Sequence, residues 1–591
     1  MTTTKGGDLI ADTLIEEGIT HVFGICGHGN VGLLDPLYER RDQIRLVSPR
    51  HEQTAVHMAD GFFRVSHKPA ATLTSTGPGS CNQIMALAVA QTDSSAVYSI
   101  TANVPTGQFN RAPFQELSMH HHADFNSVIK PVVKRSFQPS RVEMLPLAMR
   151  QAAAAMTTGR PGPVNLDIPY NLFQEEADVT REPKGSAFGQ RRSGASAEDI
   201  ATTADMLTAA VRPVIFIGHG VALSEAGTEL TALAEARGIP VISSPNGMGC
   251  IDMESPLSLG FIGRNGDYAA NQAGRHADLV LAIGGRFDDR SASSWKPGYS
   301  WNFPTTKLIH VDLDHAELGR NYTPDLAILA DARAFLRQLL AELENRDALR
   351  RETAAWLSDI EGWRKEWTDF IAPNWNGHSD PISPFRIVKD CQRVLPEDVI
   401  LSLDSGVHHN WYMQFWKARR PQSMLNTWGY SGMGFGPSSI LGAKLAAPHR
   451  PCVSICGDGG FTMVPHVLCT AVEYDIPVVW VVWNNFAWGA IRDLQYGYFG
   501  GREYGTAFRA GENREPYNPD FAAWARAAGV DGYTVTDSRQ FAATLEAAVA
   551  SNRPALIDVH VDADVRPPAT GTWELPPLQP KEPAFGRPWR P

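Results

Sequence analysis

The chain has 591 residues, 43% of them hydrophobic and 20% charged, with a formal net charge of −11. That length is too great for one hydrophobic core, so about three domains are expected, and the negative charge argues against nucleic acid or an anionic membrane as partner. No apolar run approaches the ~18 residues of a membrane span, and the acidic amphipathic start, MTTTKGGDLIADTLIEEG, is unlike a signal peptide, so a cytoplasmic location is expected.

In chain order, HVFGIC, IRLVSP, AATLTST and AVYSITA are short apolar runs, each followed by Gly, Pro or a polar helix start. This alternation predicts a parallel sheet covered by helices. Residues 179–197 are polar, basic and Gly/Ser-rich and read as a linker. A second α/β set follows in PVIFIGHG, PVISSPNG, LVLAIGGRFDDR and KLIHVDLD, closing in a charged helical stretch near 332–371. After a second linker, APNWNGHSDPISP, a third set runs from DVILSLDSG to PALIDVHVD. The fold class expected is therefore three doubly wound α/β domains, at 1–180, 195–345 and 380–565, with a Pro-rich tail at 566–591 lying on the surface or over a site. The seven cysteines form no CxxC pair and are expected to be buried free thiols.

The sharpest motif lies in the third set. The run PCVSIC ends in Gly457-Asp458-Gly459-Gly460, and the next run, PVVWVVW, ends in Asn484 and Asn485. A carboxylate at the carboxyl end of a parallel strand points into the crevice where such sheets bind ligands. Flanking glycines let backbone approach an anion closely, and the helix that follows favours phosphate at its N-terminus. Asp458 and Asn485, with a turn carbonyl just after Asn485, offer hard oxygen ligands suited to Mg²⁺ or Ca²⁺ held jointly with phosphate.

Gly-Asp-Gly followed at this spacing by Asn-Asn resembles the diphosphate and metal motif of thiamine diphosphate enzymes. SPRHEQTAVHMADGFFR, TSTGPGSCNQ, RFDDR, VDLDHAELG and GMGFGPSSILGAKLA resemble, in order, further segments of the acetohydroxyacid (acetolactate) synthases, over roughly residues 5–565. The resemblance implies a pyrimidine-binding domain, a central FAD-type domain and a diphosphate-binding domain. It makes Glu52 the carboxylate that activates the cofactor's pyrimidine ring, on cofactor bound by another subunit, in a homodimer or homotetramer. A regulatory small subunit is compatible with it but not indicated by any motif.

By the same resemblance, Gly77, Asn82, Ser405, Gly406, His408, Ser431, Gly457, Asp458, Gly459, Gly460, Asn485, Ala487, Trp488 and Gly489 contact the thiamine cofactor or its Mg²⁺. Met433 wedges between the cofactor's rings, and the Ser431 carbonyl faces its amino group. Arg160, Gly218, Gly220, Gly284, Arg286, Asp312 and Asp331 match residues that hold a largely structural FAD. Phe114, Gln115 and Arg290 match substrate-side residues, with Arg290 facing an acceptor's carboxylate.

Several positions depart from the synthase pattern. His28 stands where the synthases have glycine, Tyr170 replaces a lysine, Leu494 a tryptophan, Ala490 a methionine and Val407 a glutamine. His120, His121 and His122 form an unusual run, and imidazoles near the cofactor suit proton transfer because their unperturbed pKa is about 6.5. His28 keeps open two alternatives to carboligation of a 2-keto acid such as pyruvate: hydrolysis of a cyclic 1,2-dione, and simple decarboxylation or lysis. A non-enzymatic relic is disfavoured because Glu52 and Asp458 are both present.

Overall fold

In the computed structural model, which describes residues 2–116, 124–188, 192–344, 354–375, 377, 379 and 381–571, three parallel six-stranded sheets follow one another along the chain. The first contains β1 (His21–Gly24), β2 (Arg45–Val47), β3 (Ala70–Thr74), β4 (Val97–Asn103), β5 (Arg135–Phe137) and β6 (Val164–Pro169), in the order β2-β1-β3-β4-β6-β5. Its central strands are buried at every position, β4 along its whole length. That is why VYSITAN carries apolar or small side chains on both faces rather than alternating. Ahead of this sheet, Thr2–Lys5 pairs antiparallel with Glu176–Val179.

The middle sheet comprises β7 (Pro213–Ile217), β8 (Val241–Ser243), β9 (Ser258–Phe261), β10 (Leu279–Ile283), β11 (Lys307–Asp312) and β12 (Leu326–Leu329), ordered β9-β8-β7-β10-β11-β12. The strand order reverses between β7 and β10, which creates a crevice at their carboxyl ends. The third sheet comprises β13 (Ile400–Leu403), β14 (Met424–Asn426), β15 (Cys452–Gly457), β16 (Val479–Asn484), β17 (Asp531–Val535) and β18 (Ala555–His560), ordered β14-β13-β15-β16-β18-β17. First and third sheets thus share one connectivity, and the middle sheet has another.

The first and third units pack through α1 (Glu52–Ser66) and α3 (Phe435–Ala446), named in sequence with α2 (Val407–Phe415) and α4 (Gly489–Tyr498). A Cβ added at Gly61 would overlap the Ser439 carbonyl, and one at Gly442 would overlap the Met58 carbonyl. The two helices therefore cross at backbone contact. A single apolar cluster around this crossing joins Phe23, Val56 and Leu87 to Ile440, Leu441 and Trp480. The helix Ala354–Trp375 ties the middle unit to the third: Trp356 donates to the Pro213 carbonyl at 3.2 Å, and Trp367 stacks on Phe415.

All seven cysteines are free, and Cys250, Cys391, Cys452 and Cys456 are buried. Cys26 and Cys469 are exposed, which corrects the expectation of uniformly buried thiols. Cys26 follows the end of β1, and Cys469 sits on an outward turn of the helix Val467–Tyr474. Among the described residues, no helix is long and apolar enough to cross a membrane.

Candidate active site

β15 and β16 are neighbours, with Gly457 paired to Trp483, so Asp458 and Asn484 leave the sheet side by side. Burial raises the Asp458 carboxyl to about 7, opposed by hydrogen bonds from Asn518 and from the Gly459 amide. Asn518 Nδ2 donates to Asp458 Oδ2 at 2.8 Å and to Asn484 Oδ1 at 2.7 Å, while Asn484 Nδ2 donates to Asp558 Oδ1 at 3.0 Å. Asn484 is thereby committed to the scaffold. Asn485 Oδ1 accepts a 3.2 Å bond from the Ala487 amide. Gly459 is required by packing: a Cβ there would strike the Trp488 ring. Trp488 is fixed by its amide bond to the Thr506 carbonyl at 2.8 Å and by an edge contact with Phe508. Asn518 was not anticipated; it lies in an unremarkable NPD segment 60 residues from Asp458.

The loop before α3 is organised by Asp404, also unanticipated. Its carboxylate is buried, accepts the Gly434 amide at 3.1 Å and the Gly436 amide at 3.2 Å, and is held up at about 6 by that burial. Met433 stands immediately before the first of these amides, and its carbonyl accepts Gln53 Nε2 at 3.1 Å. Ser431 has φ 58°, a left-handed conformation that ordinarily favours glycine. Its Oγ lies 2.9 Å from Ser405 Oγ. His408 is buried, donates from Nε2 to the Asp404 carbonyl at 2.9 Å, and is pushed down to about 4 by burial. A Cβ on Gly406 would collide with the His408 ring.

Ser405, Gly406 and Ser431 open into a cavity of about 230 Å³ that Arg290, Ala490, Leu494, Arg264 and the tail residue Arg566 also line. Arg290 donates to Asn410 Oδ1 at 2.7 Å and lies 3.9 Å over the Trp428 ring; burial, then the charge of Arg264, draw its pKa down to about 10. The first residues of the tail are built into this wall: Gln414 donates to the Pro568 carbonyl and Thr570 Oγ1 to the Gly266 carbonyl.

A second cluster forms at the carboxyl end of the first sheet, from the segments that follow β1, β2, β3, β4 and β6. Glu52 is buried at the start of α1 and accepts Asn82 Nδ2 at 2.9 Å. Thr76 Oγ1 donates to Gln115 Oε1 at 2.7 Å, and Gly77 (φ 48°) leaves room for the Gln115 carbonyl. His28 lies 5.7 Å from the Phe114 ring and 6.0 Å edge-on to Tyr170. None of Glu52, Asn82, His28, Phe114, Gln115 and Tyr170 lines the 230 Å³ cavity of the same chain. His120, His121 and His122 lie outside the described residues.

A second cavity, about 200 Å³, opens at the crevice between β7 and β10. Arg160, Gly220, Gly284, Arg286, Asp312 and Asp331 line it; Gly218 stands just behind, where a Cβ would overlap the Gly284 carbonyl. Burial raises Asp312 to about 6. Asp331 accepts Ser224 Oγ at 2.7 Å, and Arg160 and Arg286 both reach Ser94 Oγ.

The chain matches the family descriptions "Thiamine pyrophosphate enzyme, N-terminal TPP binding domain" at residues 4–123, "central domain" at 200–339 and "C-terminal TPP binding domain" at 404–559. It is 35% identical to the "Probable acetolactate synthase large subunit" of Methanocaldococcus jannaschii, across 94% of this chain and 92% of that one. It is 31% identical to the acetolactate synthase large subunit of Corynebacterium glutamicum, across 95% and 87%. It is 29% identical to the acetolactate synthase isozyme 3 large subunit of Escherichia coli, across 94% and 95%. The chain belongs to the acetolactate synthase large-subunit family of thiamine diphosphate enzymes.

The residues of this family member fit the family's groups. The all-oxygen set of Asp458, Asn485 and Ala487 suits a hard divalent cation shared with a diphosphate, and the buried Asp458 carboxylate gains a counter-charge when that cation binds. The glycine-opened crevice of the middle sheet, with Arg160 and Arg286 on one wall, suits a dinucleotide.

Proposed function

We infer that this acetolactate synthase-type enzyme joins two molecules of a 2-oxo acid, pyruvate first among them, into a 2-acyl-2-hydroxy acid with release of one CO₂. The observation that carries the reading is the 230 Å³ cavity bordered by Ser405, Gly406 and Ser431, whose wall Arg290 forms in part. A guanidinium matches a carboxylate in bidentate fashion, so Arg290 orients the acceptor. Bound thiamine diphosphate supplies the electron sink for breaking and making the C–C bond.

The protein's share is binding, orientation and proton control. Asp458, Asn485 and the Ala487 carbonyl would hold Mg²⁺; Ser405, Gly406, His408 and the Trp488–Gly489 turn would meet the diphosphate. Met433, delivered by Asp404, would support the ring junction. Glu52 would hold the pyrimidine nitrogen, oriented by Asn82. His28 carries protons at the carbonyl oxygen side. Arg160, Gly220, Gly284, Arg286, Asp312 and Asp331 would hold FAD in a structural role.

The cavity's walls come from the middle and third units and the tail, and Phe114, beside His28, is 78% exposed on the single chain. Both facts support a homodimer in which a second copy supplies Glu52 and His28, with a tetramer as its doubled form. The relatives' designation as large subunits supports a small-subunit partner, and the acidic composition supports residence in the cytoplasm. Relatives along 94% of the chain carry synthase names, which does not favour the dione hydrolase reading.

The test is to supply thiamine diphosphate, Mg²⁺ and FAD, offer 2-oxo acids, aldehydes and 1,2-diones singly and in pairs, and identify products by mass spectrometry. Acetolactate from pyruvate is expected. Absence of CO₂ from every 2-oxo acid, with cleavage of a dione, would overturn the reading.

A further inference from the structure

His219 stands between Gly218 and Gly220, on the turn that leaves β7, and lines the 200 Å³ cavity of the middle sheet together with Ser94 and Ser224. A Cβ at Gly218 would overlap the Gly284 carbonyl, and one at Gly220 would crowd the Gly284 Cα. The backbone that carries the imidazole is therefore pressed against the loop after β10.

The main chain of Asp93 accepts a hydrogen bond from this imidazole. Nδ1 is buried and has no hydrogen-bond partner among the described residues, so the donating nitrogen is Nε2. Burial, then the charges of Arg64, His67 and Arg286, draw the ring's pKa well below the usual histidine value, and a neutral imidazole carries a single N–H. With that N–H on Nε2, Nδ1 presents a bare lone pair. Asp93 is itself fixed, since its carboxylate accepts Arg64 Nη2 at 3.1 Å.

The acceptors around it are engaged. Asp331 accepts Ser224 Oγ, Asp312 Oδ1 accepts the Asp314 amide at 2.8 Å, and Glu317 pairs with Arg320 at 3.2 Å. Among the described residues that line the cavity, His219 Nδ1 is the one buried side-chain nitrogen or oxygen without a hydrogen bond. Such an atom is costly unless a ligand or water satisfies it. An ionised diphosphate has no proton to give and suits Arg160 and Arg286; the lone pair of Nδ1 calls for a hydroxyl or an amine.

We propose that His219 is a binding residue of the middle cavity, its Nδ1 accepting a hydrogen bond from a hydroxyl or amine of the bound dinucleotide while Nε2 stays on Asp93. This rests on the reading of that cavity as the FAD site and adds a contact that selects for a proton-bearing group beside the diphosphate.

The test titrates the full-length enzyme, carrying thiamine diphosphate and Mg²⁺, with FAD by flavin fluorescence and with ADP by calorimetry. His219→Phe is expected to bind FAD about tenfold more weakly, the scale of one buried hydrogen bond, and His219→Gln, whose amide oxygen accepts, regains part of the loss. The ADP titration places the donor: an equal loss puts it on the adenosine half, and wild-type affinity for ADP puts it on the ribityl–flavin half. If His219→Phe does not fold, His219→Ala takes its place. FAD affinity in His219→Phe within about twofold of wild type, or a loss in His219→Gln as large as in His219→Phe, overturns the contact alone. Wild-type enzyme that binds neither FAD nor ADP overturns the dinucleotide reading of the cavity, and the contact with it.

Discussion

Asp404 accepts the backbone amides of Gly434 and Gly436, just after Met433, so its carboxylate fixes the backbone from which that side chain projects. Asp404→Asn turns one acceptor into a donor facing an amide, and a loss of about 1–3 kcal/mol in stability is expected, read by urea unfolding. The same residue predicts a pH dependence. Folded Asp404 keeps its proton up to about 6, whereas the unfolded chain releases it near pH 4. Between these values the folded state binds more protons, so this group's stabilising contribution is full below about 4 and is lost as pH rises towards about 6. Thermal unfolding from pH 4 to 8 should show that decline in wild type and not in Asp404→Asn; parallel profiles would refute it. Leu494, on α4 at the cavity wall, bears on acceptor choice. Leu494→Trp should raise discrimination for 2-oxobutyrate over pyruvate roughly tenfold, since one methylene against an aromatic wall is worth about 1–3 kcal/mol; competition kinetics with both acceptors measures it.

The crossing of α1 and α3 is a contact of elements rather than side chains. Because a methyl at Gly442 would meet the Met58 carbonyl, which belongs to a helix and does not swing aside, Gly442→Ala should cost on the order of 1–3 kcal/mol. Calorimetry would show a lowered midpoint, and an unchanged one would mean that the helices separate freely. At this scale the sequence was uneven to read. The central strands β1, β3, β4, β7, β10, β13, β15, β16 and β18 were legible because burial on both faces demands unbroken apolar runs. The edge strands β5, β9, β12, β14 and β17 were not, because an edge needs fewer apolar residues; β12 buries only Ile328 of its four. Asp458, Asn485 and the glycines of the crevices were legible since close backbone approach restricts residue type locally. Asp404 and Asn518 were not, because each acts on a segment distant in sequence.

For the whole molecule, Glu52 does not line the 230 Å³ cavity of its own chain, which supports the proposed homodimer in which a second copy supplies it. Chains carrying Glu52→Gln and chains carrying Asp458→Ala should each be inactive as homodimers. Mixed and reassociated, half of the dimers pair one of each, and each mixed dimer has one site with both groups intact, so about a quarter of wild-type activity should return. No recovery on mixing would show that the site is built within a single chain. A related consequence comes from the shared connectivity of the first and third sheets. Both present their functional loops at the carboxyl ends of their strands: one offers an acid and an amide, the other oxygen ligands and a wedge. The first and third units are then two copies of one connectivity divided by labour, and the proposed homodimer would bring an unlike pair of them to one site. Covalent order along the chain is incidental to such a device: a polypeptide with the two modules exchanged, or split into separate chains, retains every surface needed to assemble the same pair.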